Sequence, residues 1–267
     1  AGAAGCGRAC PPYGASRMTA PTDPTLARLR RLTPARLRLD PRGGAAPLSA
    51  VLDFQASHAR ARDAIRAPVD WEAIAAALGP RETLHLQSRA GDRETYLRRP
   101  DLGRRVREAD LDRLQGKGSD VASDVAIVIA DGLSALAVNR HAAAIAGGVI
   151  ESLPGVRFAP IVLASQARVA IGDDIGAGLS ARLSLVLIGE RPGLSVAESL
   201  GAYITYDPRP GRQDSERNCV SNIHDLGGLS HDRAVELISW LVGEALSRRL
   251  TGIALKDESG SGFLGEN

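Results

Sequence analysis

Apolar residues recur at helical spacing along the first 120 positions and gather into short continuous runs beyond them. In PLSAVLDFQASHARARDAI, Leu48, Val51, Leu52, Ala56 and Ala59 mark one face of an amphipathic helix, with Pro47 near its first turn and Pro68 just past its end. Asp70 stands as an N-cap to WEAIAAAL, which Gly79-Pro80 ends, and Tyr96 to Leu114 reads as further short helices around RPDLGRR. Residues 45–118 are therefore expected to form a small helical domain. Ahead of them, residues 1–44 read as a mobile arm, because Met18 to Gly44 is rich in Pro, Arg and Thr and has little periodicity. The first 17 residues precede the only methionine, Met18, and lack the apolar core of a signal peptide. They read as an upstream remnant, which puts Cys6 and Cys10 outside the function.

Beyond the QGKGS linker come DVAIVIA (124–130), FAPIVLA (158–164) and LSLVLIG (183–189). Continuous runs of this length suit strands buried on both faces, as in a parallel sheet. Helical stretches lie between them: Leu133 to Ala146, and GDDIGAGLSARL, whose Asp173 and Asp174 favour a helix N-terminus. A last helix starts at Ser230, buries Ala234, Leu237, Ile238, Leu241 and Ala245, and ends with Arg248 and Arg249. This alternation predicts an α/β fold, with residues 119–267 a Rossmann-like, mostly parallel sheet domain.

Composition narrows the function classes. At 267 residues the chain is long enough to bury a core without covalent staples, and no apolar run approaches the roughly 20 residues that span a bilayer. Aromatic residues make up only 3%, too few for stacking platforms that bind single-stranded nucleic acid. Residues 1–120 carry 21 basic and 14 acidic side chains, whereas residues 121–267 carry 12 and 17, so the two halves are expected to do different jobs. The basic side chains of the first half are scattered among acids, which fits a solvated or partner-facing surface better than a nucleic-acid site. Three cysteines cannot supply a four-thiolate zinc site, and one of any disulfide pair would be left over, so a reducing cytoplasmic setting fits best.

In open α/β sheets ligands lie beyond the carboxyl ends of the strands. ADGLSA, ASQARVAIGDD and GERPGLS follow the three runs there, and none is a GxGxxG or P-loop motif. GERPG holds Glu190 and Arg191 out in a turn; Glu190 is either a site residue or the partner of an arginine. Asp131, at the end of the first run, is either a site acid or the cap of the next helix. Cys219, His224 and Asp225 lie close together in ERNCVSNIHD and raise a thiol-hydrolase reading. Against it, no nucleophile elbow surrounds Cys219, and a buried, unreactive cysteine is commoner. His58, His85, His141 and His231 show no zinc-type spacing, so no protein-built metal site is expected.

The segments RPDLGRR (99–105), ADGLSA (130–135), RVAIGDDIG (168–176), LIGERPGLS (187–195), SLGAYITYDPRPGR (199–212), ERNCVSNI (216–223) and SRRLTGIALKD (247–257), with LDFQASHARARDA (52–64), resemble the small subunit of ethanolamine ammonia-lyase. The resemblance runs collinearly from about residue 50 to 257. It implies an adenosylcobalamin-dependent enzyme that converts ethanolamine to acetaldehyde and ammonia by a radical mechanism, in the cytoplasm or within a bacterial microcompartment. It also implies a large-subunit partner that holds most of the substrate, several subunit pairs per assembly, and a corrinoid between the two subunits. Val169, Glu190 and Cys219 are carried over as corrinoid contacts, with no catalytic residue on this chain. A corrin is a broad apolar disc fringed with amides, which suits loops offering backbone groups and acceptors around a flat rim.

Overall fold

The computed structural model of the protein describes residues 24–32, 48–115 and 122–256, and the chain divides into two units, Ala1–Ala46 and Pro47–Asn267. In the first, helix α1 (Pro24–Leu32) occupies part of the expected arm. Pro24 fills the first helical position, where a missing N–H costs nothing, and Leu, Ala and Arg favour the turns that follow. Residues 1–17, read above as an upstream remnant, lie outside the described residues, with Cys6 and Cys10 among them.

The second unit is built on one six-stranded sheet: β1 (Thr83–Gln87), β2 (Val125–Ala130), β3 (Ile161–Ser165), β4 (Leu183–Gly189), β5 (Leu200–Tyr206) and β6 (Asn218–Ile223). Its spatial order is β1-β3-β2-β4-β5-β6. The first four strands run parallel, and β5 and β6 are antiparallel to their neighbours. The fold is α/β, and the mostly parallel sheet expected from the sequence is a mixed one. Connection length is the reason. A parallel return needs a crossover of a dozen or more residues, usually helical, but ten residues separate β4 from β5, and only a three-residue 3₁₀ turn, Asp214–Glu216, interrupts the stretch from β5 to β6. The helical reading of residues 45–118 also misses β1. There Leu84 and Leu86 point inward while His85 between them is exposed, the period-2 pattern of a strand.

The helices of this unit are α2 (Leu48–Arg66), α3 (Trp71–Ala77), α4 (Arg93–Arg98), α5 (Glu108–Gln115), α6 (Ala135–Ala137), α7 (Ala143–Ser152), α8 (Ile171–Gly178) and α9 (His231–Arg248). Asp70 caps α3 by accepting from Ala73 N at 3.0 Å, and Ser230 caps α9 by accepting from Arg233 N at 3.4 Å. Between α6 and α7 the chain makes a π-helical turn, Val138–Ala142. On α9, Ala234, Ile238, Leu241 and Ala245 are buried as expected, and Leu237 is half-buried. The prediction for α2 is right in extent and wrong in face. Its buried residues are Ser57, Ala61 and Ala64, whereas Leu48, Leu52 and Phe54 are exposed.

Two cores sandwich the sheet. Ile127, Ile129, Leu185, Leu187, Leu200, Ala202 and Ile204 pack with α7 and α9 on one side. Val128, Val162, Ala164, Val186 and Ile188 pack with Ile171, Ile175 and Leu179 on the side of α8.

Candidate functional site

The carboxyl ends of β2, β3 and β4 share one edge of the sheet, because these strands are parallel. The antiparallel register then brings Leu200, which opens β5, with Ser199 just ahead of it, and Ile223, which closes β6, to the same edge. Glu190 leaves the end of β4 there and is half-buried. Its backbone N–H donates to Ser199 O at 2.9 Å. The Ser199 hydroxyl donates to Glu190 Oε2 at 2.5 Å, and the N–H of Asn222 reaches the same oxygen at 3.3 Å. The carboxylate therefore lies across β5 and is anchored to β6 as well.

Gly201 makes this possible. A Cβ built there would stand 2.9 Å from Glu190 Oε1 and 3.2 Å from Glu190 Cγ. Both donors go to Oε2, which leaves Oε1 available as an acceptor. Glu190 thus has no arginine partner among the described residues, contrary to one of its two sequence readings.

Alternation puts Tyr203 on the same face as Gly201, and the β5–β6 register places Cys219 opposite Tyr203. Tyr203 and Val169 both pack against the core on the side of α8. Val169 lies in the turn from β3 into α8, half-buried, and its carbonyl accepts from Gly172 N at 3.1 Å. The structure therefore brings Val169, Glu190 and Cys219 to one face of the sheet. The main helical neighbours of β5 and β6, α9 and the π turn, lie on the opposite face. Among the described residues no crossover helix returns over β5 and β6; on their α8-side face Cys219 is exposed and Tyr203 is half-buried.

Cys219 is exposed, not buried as its residue type predicts. Crowding by neighbouring atoms desolvates the sulfur and pushes the thiol up; a hydrogen bond with Tyr203 pulls the other way and the charge of Glu190 adds to the rise. A raised thiol is a poor nucleophile at neutral pH. His224 follows the end of β6, and five residues of strand span about 16 Å. Its Nδ1 already accepts from Leu226 N at 3.1 Å. The geometry supplies no Cys219–His224 dyad.

Asp131 is neither a helix cap nor a free acid. Ser134 caps α6 by accepting from Ala137 N at 3.2 Å. The buried Asp131 carboxylate instead accepts the N–H groups of Gln166 and Ala167, both at 2.8 Å, one on each oxygen. Burial pushes this carboxyl up to about 6, opposed by those two donors and by Arg93. Tyr203, Ser199, Gly201 and Arg93 escaped the sequence reading. The alternation in LGAYITY was the available signal for Gly201 and Tyr203.

The fold and this edge define an α/β protein whose candidate site groups come from three loops and two antiparallel strands. The sequence profile of the ethanolamine ammonia-lyase light chain matches residues 23–256. The ethanolamine ammonia-lyase small subunit of Rhodopseudomonas palustris is 53% identical over 245 residues, covering 90% of this chain and 92% of that protein. Its counterpart in Bradyrhizobium diazoefficiens is 51% identical, with 90% and 92% covered, and that of Xanthomonas campestris is 46% identical, with 93% and 94% covered. The chain belongs to the ethanolamine ammonia-lyase small-subunit family, and it is a subunit of that lyase.

Proposed function

We propose that this chain supplies one wall of an adenosylcobalamin site and that the large subunit supplies the other wall and the substrate pocket. The single observation that carries the reading is the sheet face on which half-buried Glu190 and Tyr203 lie with the exposed Cys219, on the side where Val169 also packs. A corrin fits such a surface: the disc needs a flat apolar floor, and its peripheral amides need acceptors at the rim.

Glu190 would hold an amide N–H through Oε1, while Ser199 and Asn222 keep its carboxylate from swinging away. Val169 offers an apolar side chain, and Cys219 offers a small polarisable surface and not a nucleophile. Tyr203 fills the floor between them. When bound, the cofactor supplies a homolysable cobalt–carbon bond and so the radical that starts the conversion of ethanolamine to acetaldehyde and ammonia. The work of this chain is to bind, orient and exclude water. Residues 119–267 carry every group assigned to the cofactor. Leu48, Leu52 and Phe54 on α2 leave apolar surface for the large subunit. On the same reading the enzyme acts in the cytoplasm or in a bacterial microcompartment, as an assembly of several subunit pairs; among the described residues no helix is long and apolar enough to cross a membrane.

Reconstitution tests the reading. The chain alone should release no ammonia from ethanolamine. Mixed with the large subunit of a relative and adenosylcobalamin, it should yield a complex that retains the corrinoid spectrum through gel filtration and releases ammonia. A complex that assembles and does neither overturns the proposal.

A further inference from the structure

Two cofactor-facing loops meet at one short turn, Asp131–Ser134, at the end of β2. On one side, Asp131 holds the backbone of Gln166 and Ala167, the start of the loop that leads to Val169. Gln166 sits there at φ 54, a left-handed conformation that a non-glycine residue adopts only when its surroundings fix it. The surroundings are Ser88 Oγ, which donates to Gln166 O at 2.6 Å, and Tyr96 OH, which donates to Ala167 O at 3.2 Å. The N–H of Arg168 donates to Gly103 O at 2.8 Å, and its guanidinium lies 4.3 Å from the Tyr96 ring centre.

On the other side, the same turn grips the end of β4. Leu133 N donates to Gly189 O at 2.8 Å, one residue before Glu190. Ser134 Oγ donates to Ala197 O at 2.7 Å, two residues before the Ser199 that anchors Glu190. The contact is close enough to need glycine on both sides. A Cβ on Gly132 would come within 2.2 Å of Gly189 O, and one on Gly189 within 2.1 Å of Ser134 O. Arg93 locks the turn from outside: its Nη1 donates to Gly132 O at 2.8 Å and lies 3.6 Å from Asp131 Oδ2, and its Nε donates to Ile65 O at 2.7 Å.

We propose that Asp131 and Ser134 are positioning residues for the cofactor, through which one turn sets the placement of Val169 and Glu190 relative to each other. The inference rests on the cobalamin reading above and adds to it two residues that touch no cofactor themselves. Asp131 needs its ionised form to accept both N–H groups; a protonated carboxyl turns one oxygen into a donor facing a donor. The charged and titratable groups around it are Arg93 at 3.6 Å, Tyr96, and Arg168, whose guanidinium, like that of Arg93, lies over the Tyr96 ring. Loss of the clamp should therefore follow a pH profile.

The experiment measures cobalamin dissociation from the reconstituted two-subunit complex by visible titration between pH 5 and 8, for the wild type, Asp131→Asn and Ser134→Ala. Wild-type affinity should fall as pH drops through about 6. Asp131→Asn should bind about tenfold more weakly at pH 8, the loss of one good hydrogen bond to a charged group, and its affinity should stay level across the range. Ser134→Ala is the milder change: it should fold, weaken binding several-fold and keep the wild-type pH profile. A wild-type complex that holds no cobalamin overturns the cofactor reading together with this one. A wild-type complex that binds, alongside a Ser134→Ala complex with unaltered affinity or an Asp131→Asn complex with the wild-type profile, overturns this one alone.

Discussion

At the scale of single residues, the site depends on an absent side chain as much as on those present. Gly201 clears the path along which Glu190 crosses β5, and the nearest atom a Cβ would meet is the far end of a flexible side chain. Gly201→Ala should therefore leave the fold intact, with a thermal midpoint within about 3 °C of the wild type. Displacing the carboxylate from Ser199 and Asn222 should weaken corrinoid retention by about tenfold; unaltered retention would show that the placement of Glu190 does not matter. Asp131 makes a second residue-scale prediction, for the isolated chain. Its folded carboxyl is pushed up to about 6 from 3.8 by burial. Between those values the folded chain keeps a proton that the unfolded chain has released. The stability this provides is complete below about pH 4 and is lost as pH rises through 6, by about 3 kcal/mol. Urea denaturation from pH 4 to 7 should show that decline in the wild type, and Asp131→Asn should flatten it.

At the scale of elements, a buried ion pair ties β5, β6 and α8 together. Arg217, next to the first residue of β6, makes two hydrogen bonds of 2.7 Å with Asp173 on α8 and another of 2.8 Å with Thr205 on β5. Both partners are buried. Arg217→Ala strands the Asp173 carboxylate and should cost about 3–5 kcal/mol, measured by urea denaturation. Replacing both partners, as Arg217→Met with Asp173→Leu, should recover most of that loss. From sequence, Asp173 was legible as a helix N-terminal acid, but its partner lies 44 positions away and no local pattern links the two. The same limit explains which elements could be read. β2, β3 and β4 are buried on both faces and announce themselves as unbroken apolar runs. β6 alternates buried Val220 and Ile223 with exposed polar residues, and β5 carries Gly201, Tyr203 and Thr205 among its apolar positions, so neither reads as an unbroken apolar run. For α2, the spacing of leucines marked a face that the fold leaves outside, while small residues met the core.

At the scale of the whole molecule, the three residues carried over from the family resemblance as corrinoid contacts lie on one side of the sheet, and the shape of that side follows from a sheet that is not the one the sequence pattern predicts. A parallel β5 would need a crossover helix, and the handedness of such crossovers would lay that helix over a sheet face. With two short antiparallel returns, no such helix lies over β5 and β6 among the described residues. The acidic excess of the second half and the basic excess of the first correspond to the half that carries the candidate site and the half that carries α1, α2 and the small elements around β1. Charge alone separates those two halves along the chain, whereas the placement of Tyr203 opposite Cys219 depends on how β5 pairs with β6, which no charge count conveys.

The exposed thiol of Cys219 can serve as a gauge of whatever comes to cover that face. With Cys6 and Cys10 replaced by serine, Cys219 becomes the sole target for a maleimide. In the free chain it should label slowly at neutral pH and faster in alkali, since desolvation holds the thiol up. Adding the large subunit alone, then cobalamin, should slow labelling in two separate steps if both cover this face. The ratio of the two rates would report, within one experiment and without a spectrum, how much of the wall each component shields.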